Sequence, residues 1–153
     1  MFQIKRELNV SADEFFARIA ESVAYDIYAN TNKQVKVNQI KKGYSYTRKM
    51  SGKMGNKGEI KATITDFEAP SIYAIHFESK QGDNTLSYVI NPIDDDNIEV
   101  IYTENYVAAS KSKSWNAKIM QALYKRGNKK KVNRLITQIE NYIISQRPLS
   151  EEN

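Results

Sequence analysis

The strongest constraint on this chain is the order in which its hydrophobic patterns follow one another. A strand-like start from Phe2 to Val10 leads into one amphipathic helix, a run of alternating segments fills about Val35 to Val107, and a long basic amphipathic helix closes the chain. In the first segment Phe2, Ile4, Leu8 and Val10 share a face opposite Gln3, Lys5, Glu7 and Asn9, and Arg6 interrupts the apolar side. Ser11 followed by Glu14 has the spacing of a capping box, so a helix starts here. Phe15, Ile19, Val23 and Ile27, with Phe16 and Ala20 alongside, build its buried stripe, and Asn30-Thr31-Asn32 ends it.

The middle of the chain reads as strand after strand. Tyr44, Tyr46, Arg48 and Met50 alternate with Ser45, Thr47 and Lys49; Ile60, Ala62 and Ile64 alternate with Lys61 and Thr63. Past the turn at Pro70, Tyr73, Ile75 and Phe77 share a face opposite Ala74 and His76. Leu86, Tyr88 and Ile90 follow a turn at Gln81-Gly82-Asp83, and Val100, Tyr102, Glu104 and Tyr106 follow one at Asp94 to Asn97. Short alternating segments with tight turns predict an antiparallel meander. The closing helix is expected from Lys113 to Arg147, stopped by Pro148. Trp115, Ile119, Ala122 and Leu123 mark one face of its first half; Leu135, Ile136, Ile139, Tyr142 and Ile143 mark a rotated face of its second. With Gly127-Asn128 between them, the helix either bends there, packs its halves on different surfaces, or continues through.

The length, 153 residues, suits a single domain over 1–148, with 149–153 as a disordered tail. The absence of cysteine excludes disulfides, thiol nucleophiles and thiolate metal sites, and a lone histidine, His76, argues against structural zinc. No apolar run approaches the roughly 20 residues that span a bilayer, and the start lacks a signal-peptide core, so a soluble cytoplasmic protein is expected.

On these residues the chain resembles the helix-grip superfamily, which includes START lipid-transfer domains, birch-pollen-type allergens (Bet v 1-like) and polyketide cyclases. More narrowly it resembles a bacterial branch found mainly in Firmicutes, domain of unknown function 3284. The carriers are Leu8-Asn9-Val10-Ser11-Ala12-Asp13-Glu14-Phe15-Phe16, Asn84-Thr85-Leu86-Ser87-Tyr88 and Ala122-Leu123-Tyr124-Lys125-Arg126. The resemblance implies an α+β fold: a curved antiparallel sheet wrapped around a long C-terminal helix, with an apolar or aromatic small molecule held between them. It brings no catalytic residue and no cofactor.

The inner face is rich in tyrosine: Tyr44, Tyr46, Tyr88, Tyr102 and Tyr106. Such a surface lines a cavity for an amphipathic ligand, or fills a core whose hydroxyls find internal partners. The candidate ligand-binding set adds Arg48, Phe77 and Glu104, and Trp115, Ile119 and Leu123 from the closing helix. Arg6 and Glu104 both interrupt apolar faces of strands expected to be antiparallel neighbours, so mutual pairing is the economical expectation. Arg48 is the alternative partner for Glu104 or for an anionic ligand. His76 falls on the outward face beside Glu78, which places it away from any interior site. Ser51 to Gly58 lacks phosphate-loop spacing and reads as a hairpin loop, and Asp94-Asp95-Asp96 lacks calcium-loop spacing and reads as a turn. Lys125, Arg126, Lys129, Lys130 and Lys131, part of a stretch without acidic residues, form either a solvated face or a site for an anionic partner; nothing aromatic interleaves with them as nucleic-acid binding needs.

The function expected from these patterns is non-enzymatic binding or sensing of a small apolar or amphipathic molecule. The alternatives are an adaptor module with a filled core and a cyclase- or hydrolase-like enzyme.

Overall fold

A computed structural model describes residues 1–49, 58–108 and 115–148 of the protein, the side chains of 115–126 excepted. Six strands, β1 (Phe2–Leu8), β2 (Ser45–Lys49), β3 (Glu59–Glu68), β4 (Ile72–Ser79), β5 (Gly82–Pro92) and β6 (Ile98–Ala108), form one antiparallel sheet in the order β1-β6-β5-β4-β3-β2. The curved sheet and the C-terminal helix α2 (Trp115–Ser145) make a helix-grip fold, with α1 (Ala12–Thr31) completing the core.

The first helix starts where its cap requires. The Ser11 side chain accepts from the Glu14 N–H at 3.0 Å, the Glu14 carboxylate accepts from the Ser11 N–H at 2.9 Å, and Asn32 closes the other end in the left-handed region at φ 59°. Phe15, Phe16, Ile19, Ala20, Val23 and Ile27 are buried, as their spacing predicts. Short turns join β3 to β4, β4 to β5 and β5 to β6. At Gly82 (φ 152°) an added Cβ would meet the Val107 carbonyl oxygen at 2.5 Å, so only glycine fits this first residue of β5.

Three expectations are corrected. The alternating run does not begin at Val35: a single 3₁₀ turn, Val37–Gln39, occupies part of that segment. There the Gln39 side chain accepts from the Lys36 N–H at 2.9 Å and the Gln39 N–H donates to the Lys36 carbonyl at 2.9 Å, so local bonds replace a ladder. Second, α2 is continuous through Gly127, one of the readings left open, but among its described side chains the buried stripe is Val132, Ile136 and Ile143 with Ile139 partly covered, while Leu135 and Tyr142, expected on that face, are exposed. Third, Arg6 does not pair with Glu104. β1 and β6 are antiparallel neighbours as expected, but Arg6 lies opposite Val100 and Glu104 opposite Phe2. Arg6 instead donates to the Asn133 carbonyl (3.2 Å), the Asn133 side-chain oxygen (3.3 Å) and the Thr137 hydroxyl (3.1 Å) on α2.

The inward face divides into a filled end and an open end. Toward the chain reversals at Pro70 and Asp94, Leu8, Tyr73, Ile90, Ile98 and Val100 are buried, and rings run in contact from Phe2 through Tyr102, Tyr88 and Tyr73 to Phe67. Toward the other end, the inward-facing Ile60, Phe77, Asn84 and Leu86 stay partly exposed.

Candidate functional site

The open end carries the polar side chains of the inner face. Strand alternation puts Tyr46 and Arg48 of β2, with Tyr44 just before it, Phe77 of β4, Asn84 of β5 and Tyr102, Glu104 and Tyr106 of β6 on that face. Register places Asn84 opposite both Phe77 and Tyr106, and Leu86 opposite both Ile75 and Glu104.

Glu104, 7% exposed, is the one buried charged residue among the described residues. Its carboxylate accepts from the Tyr102 hydroxyl at 2.5 Å and from the Asn128 side-chain amide of α2 at 3.2 Å, so helix and sheet both position it. Beside it, the buried Asn84 side-chain oxygen accepts no hydrogen bond. A buried acceptor left unmade costs about 1–3 kcal/mol, which a donor entering from outside would recover. Asn84, Glu104 and Asn128, with Lys131, Val132 and Leu135 of α2, line an open groove of about 440 Å³.

On the β2 side, Asp26 of α1 gathers a second polar group. Its Oδ2 accepts from the Tyr46 hydroxyl at 2.5 Å and lies 3.1 Å from the Arg48 Nε, and the Asn30 amide donates to its Oδ1 at 3.4 Å. The Arg48 guanidinium sits 5.4 Å from the centre of the Phe77 ring. Burial pushes the Tyr46 phenol well above the ordinary tyrosine range, its bond to Asp26 pushing the same way; burial, then neighbouring charge, does the same at Tyr73 and Tyr88. These phenols stay protonated, which makes them hydrogen-bond donors rather than bases.

The candidate residues therefore fall into three groups. Tyr46, Tyr88, Tyr102 and Glu104 are buried on the inner face, with Tyr88 and Tyr102 inside the packed ring array. Arg48, Phe77, Tyr44 and Tyr106 are partly or more exposed there, and the Tyr106 hydroxyl donates to the Gln81 carbonyl at 3.2 Å. The side chains of Trp115, Ile119, Leu123, Lys125 and Arg126 lie outside the described residues, as do the loop 51–57 and the tail 149–153; Lys129, Lys130 and Lys131 are exposed on α2. His76 is on the outer face, 3.6 Å from Glu78 and 3.5 Å from Asp83. Sequence reasoning missed Asn84, Asn128 and Asp26. Asn84 has a legible signal, a polar residue in phase with Leu86, Tyr88 and Ile90; Asp26 and Asn128 sit on helices whose rotation about the sheet no local pattern reveals.

Among the described residues no group of His, Asp and Glu could hold a metal ion, and no helix is long and apolar enough to cross a membrane. The family described as "Domain of unknown function (DUF3284)" matches residues 2–125. No curated protein sequence matches the chain. Solved structures share its fold. A START superfamily protein from Mycobacterium smegmatis is 9% identical over 95% of this chain and 98% of that one, with a TM-score of 0.62. Norcoclaurine synthase from Thalictrum flavum, in complex with dopamine and hydroxybenzaldehyde, is 14% identical over 96% and 87%, TM-score 0.59. The Zhui aromatase/cyclase from a Streptomyces species is 12% identical over 93% and 94%, TM-score 0.59. At these identities the likeness is one of fold.

Proposed function

The chain belongs to the DUF3284 family, and from that premise we propose that it works by binding a small amphipathic molecule at the open end of its sheet, beneath α2. The observation that carries this reading is the Asn84 side-chain oxygen, buried without a partner beside a groove of about 440 Å³. That volume lies within the range of about 300–1,000 Å³ usual for small-molecule pockets, and an apolar surface with few convergent polar groups is their usual lining. Val132 and Leu135 give the groove apolar surface, and the partly exposed Phe77 and Leu86 adjoin it, paired across the sheet with Asn84 and Glu104; the Asn84 oxygen supplies an acceptor for a hydroxyl or amine. The aromatic pair held by norcoclaurine synthase is consistent with a fold that accommodates such molecules.

The test is a fluorescence titration with the neutral probe N-phenyl-1-naphthylamine. The expected result is saturable binding to one site per chain, weakened by about tenfold or more in Leu86→Trp, which fills the half-open floor. Unchanged affinity in that variant, at an unchanged urea midpoint, would place the probe elsewhere and sink the assignment. A second reading, an interaction module, draws on the exposed Lys129, Lys130, Lys131 and Arg134 beside exposed Leu135. It predicts no saturable probe site and salt-sensitive capture of an acidic partner.

A further inference from the structure

We propose that Arg48 is the oxyanion-recognition residue of this site, so that the ligand is a small organic anion with a planar apolar body. The inference rests on the binding reading above and adds the ligand's charge and shape. Arg48 faces the interior from β2, in line with Tyr44 and Tyr46. Asp26 forms an ion pair with its guanidinium, Nε lying 3.1 Å from the carboxylate without a hydrogen bond between them. The Asp26 carboxylate is itself placed by the Tyr46 hydroxyl, which donates to the same oxygen, and by the Asn30 amide, which donates to its Oδ1 at 3.4 Å. The Asp26 charge and the Phe77 ring thus place the guanidinium, whose Nε is buried without a hydrogen bond and whose terminal nitrogens donate none to any described residue.

The guanidinium is planar and its terminal fork matches a carboxylate, sulfonate or phosphate, which it meets with paired N–H···O bonds. The Arg48 side chain is 38% exposed, so an incoming anion can reach it. Asp26 offsets part of the positive charge, which makes recognition depend on the directed fork more than on net attraction. Phe77 sets the rest of the ligand. Its ring lies under the guanidinium at 5.4 Å, its Cα is paired with Asn84, and it is itself partly exposed. An apolar body laid on Phe77 thus has a fixed cation at one side and the unpartnered Asn84 oxygen at the other.

The experiment compares two probes of one skeleton in the full chain: 8-anilinonaphthalene-1-sulfonate, an anion, and neutral N-phenyl-1-naphthylamine. Arg48→Gln is expected to raise the Kd of the sulfonate about tenfold and leave that of the neutral probe unchanged. Arg48→Lys keeps the charge and loses the fork, and its sulfonate Kd is expected to stay at least about threefold above wild type. Both variants are read at wild-type circular dichroism, and Arg48→Lys carries the test if Arg48→Gln does not fold. If the sulfonate Kd is unmoved while the neutral probe still binds, Arg48 is a structural ion pair and the inference falls with the binding reading intact. Equal weakening of both probes would assign Arg48 to packing and overturn the inference likewise. If neither probe binds the wild-type protein, the binding reading falls and takes this one with it.

Discussion

Arg6 illustrates what a single residue decides here. It shares a strand face with Phe2, Ile4 and Leu8, and its length lets it cross to α2, where the Asn133 carbonyl and side-chain oxygens and the Thr137 hydroxyl take its donors. Hydrogen bonds to a charged group contribute about 1.5–3 kcal/mol in favourable settings. Arg6→Met, which keeps much of the apolar stem, is therefore expected to lose about 2 kcal/mol, read as a lower urea midpoint at unchanged slope; a midpoint equal to wild type would show that these bonds are replaced by water at no cost. That Arg6 had to be accounted for was legible in the strand pattern. Its partner was not, because a strand's alternation says which way a side chain points and nothing about which helical turn lies above it. The same holds at the site: Arg48 and Glu104 stand out as charges on apolar faces, whereas their fixing partners Asp26 and Asn128 come from helices and are separated from them by 22 and 24 positions.

At the level of elements, α1 was readable end to end because its signals are local: a capping box, a four-residue apolar spacing and an asparagine stop. The closing helix was less so. Its two apolar faces left a bend, a change of packing surface or a continuous helix open at Gly127; α2 is continuous there and, among its described side chains, buries the Val132, Ile136 and Ile143 stripe, leaving Leu135 and Tyr142 outside. A periodicity names a face only when the surface it packs on is known, and Tyr142 instead lies under the Arg18 guanidinium at 4.1 Å. Gly127 has nothing within 4 Å of an added Cβ, so no close approach demands it. Gly127→Ala is expected to stabilise the protein by about 0.5–1 kcal/mol through helix propensity alone, seen as a raised thermal midpoint. A lowered midpoint would mean that the glycine serves a conformation other than this helix.

Across the whole molecule, the ends of the two helices are tied together far from the open end of the sheet. The Glu14 carboxylate accepts from the Ser11 N–H and, at 3.2 Å, from Arg147, which also donates to the Asn9 carbonyl; Glu140 accepts from the Asn9 N–H. The backbone bond at Ser11, and secondarily Arg147, hold the Glu14 carboxyl below its ordinary range. A depressed folded value contributes stability above the unfolded carboxyl's pKa of about 4.3, and that contribution is lost as pH falls through the lower folded value. Glu14→Gln should therefore lie below wild type in urea midpoint at about pH 6 and approach it at about pH 3; a constant gap would assign the effect to packing. What the sequence by itself determined is the class of fold, since element order, caps and alternation are properties of neighbouring residues and together leave one familiar arrangement. The tertiary structure alone decided which end of the sheet is filled and which stays open, where Arg6 finds its partners, and which polar groups converge on the floor. Those depend on the register between β1 and β6 and on the seating of α2, contacts between residues distant in the chain that carry no mark in any local stretch of it.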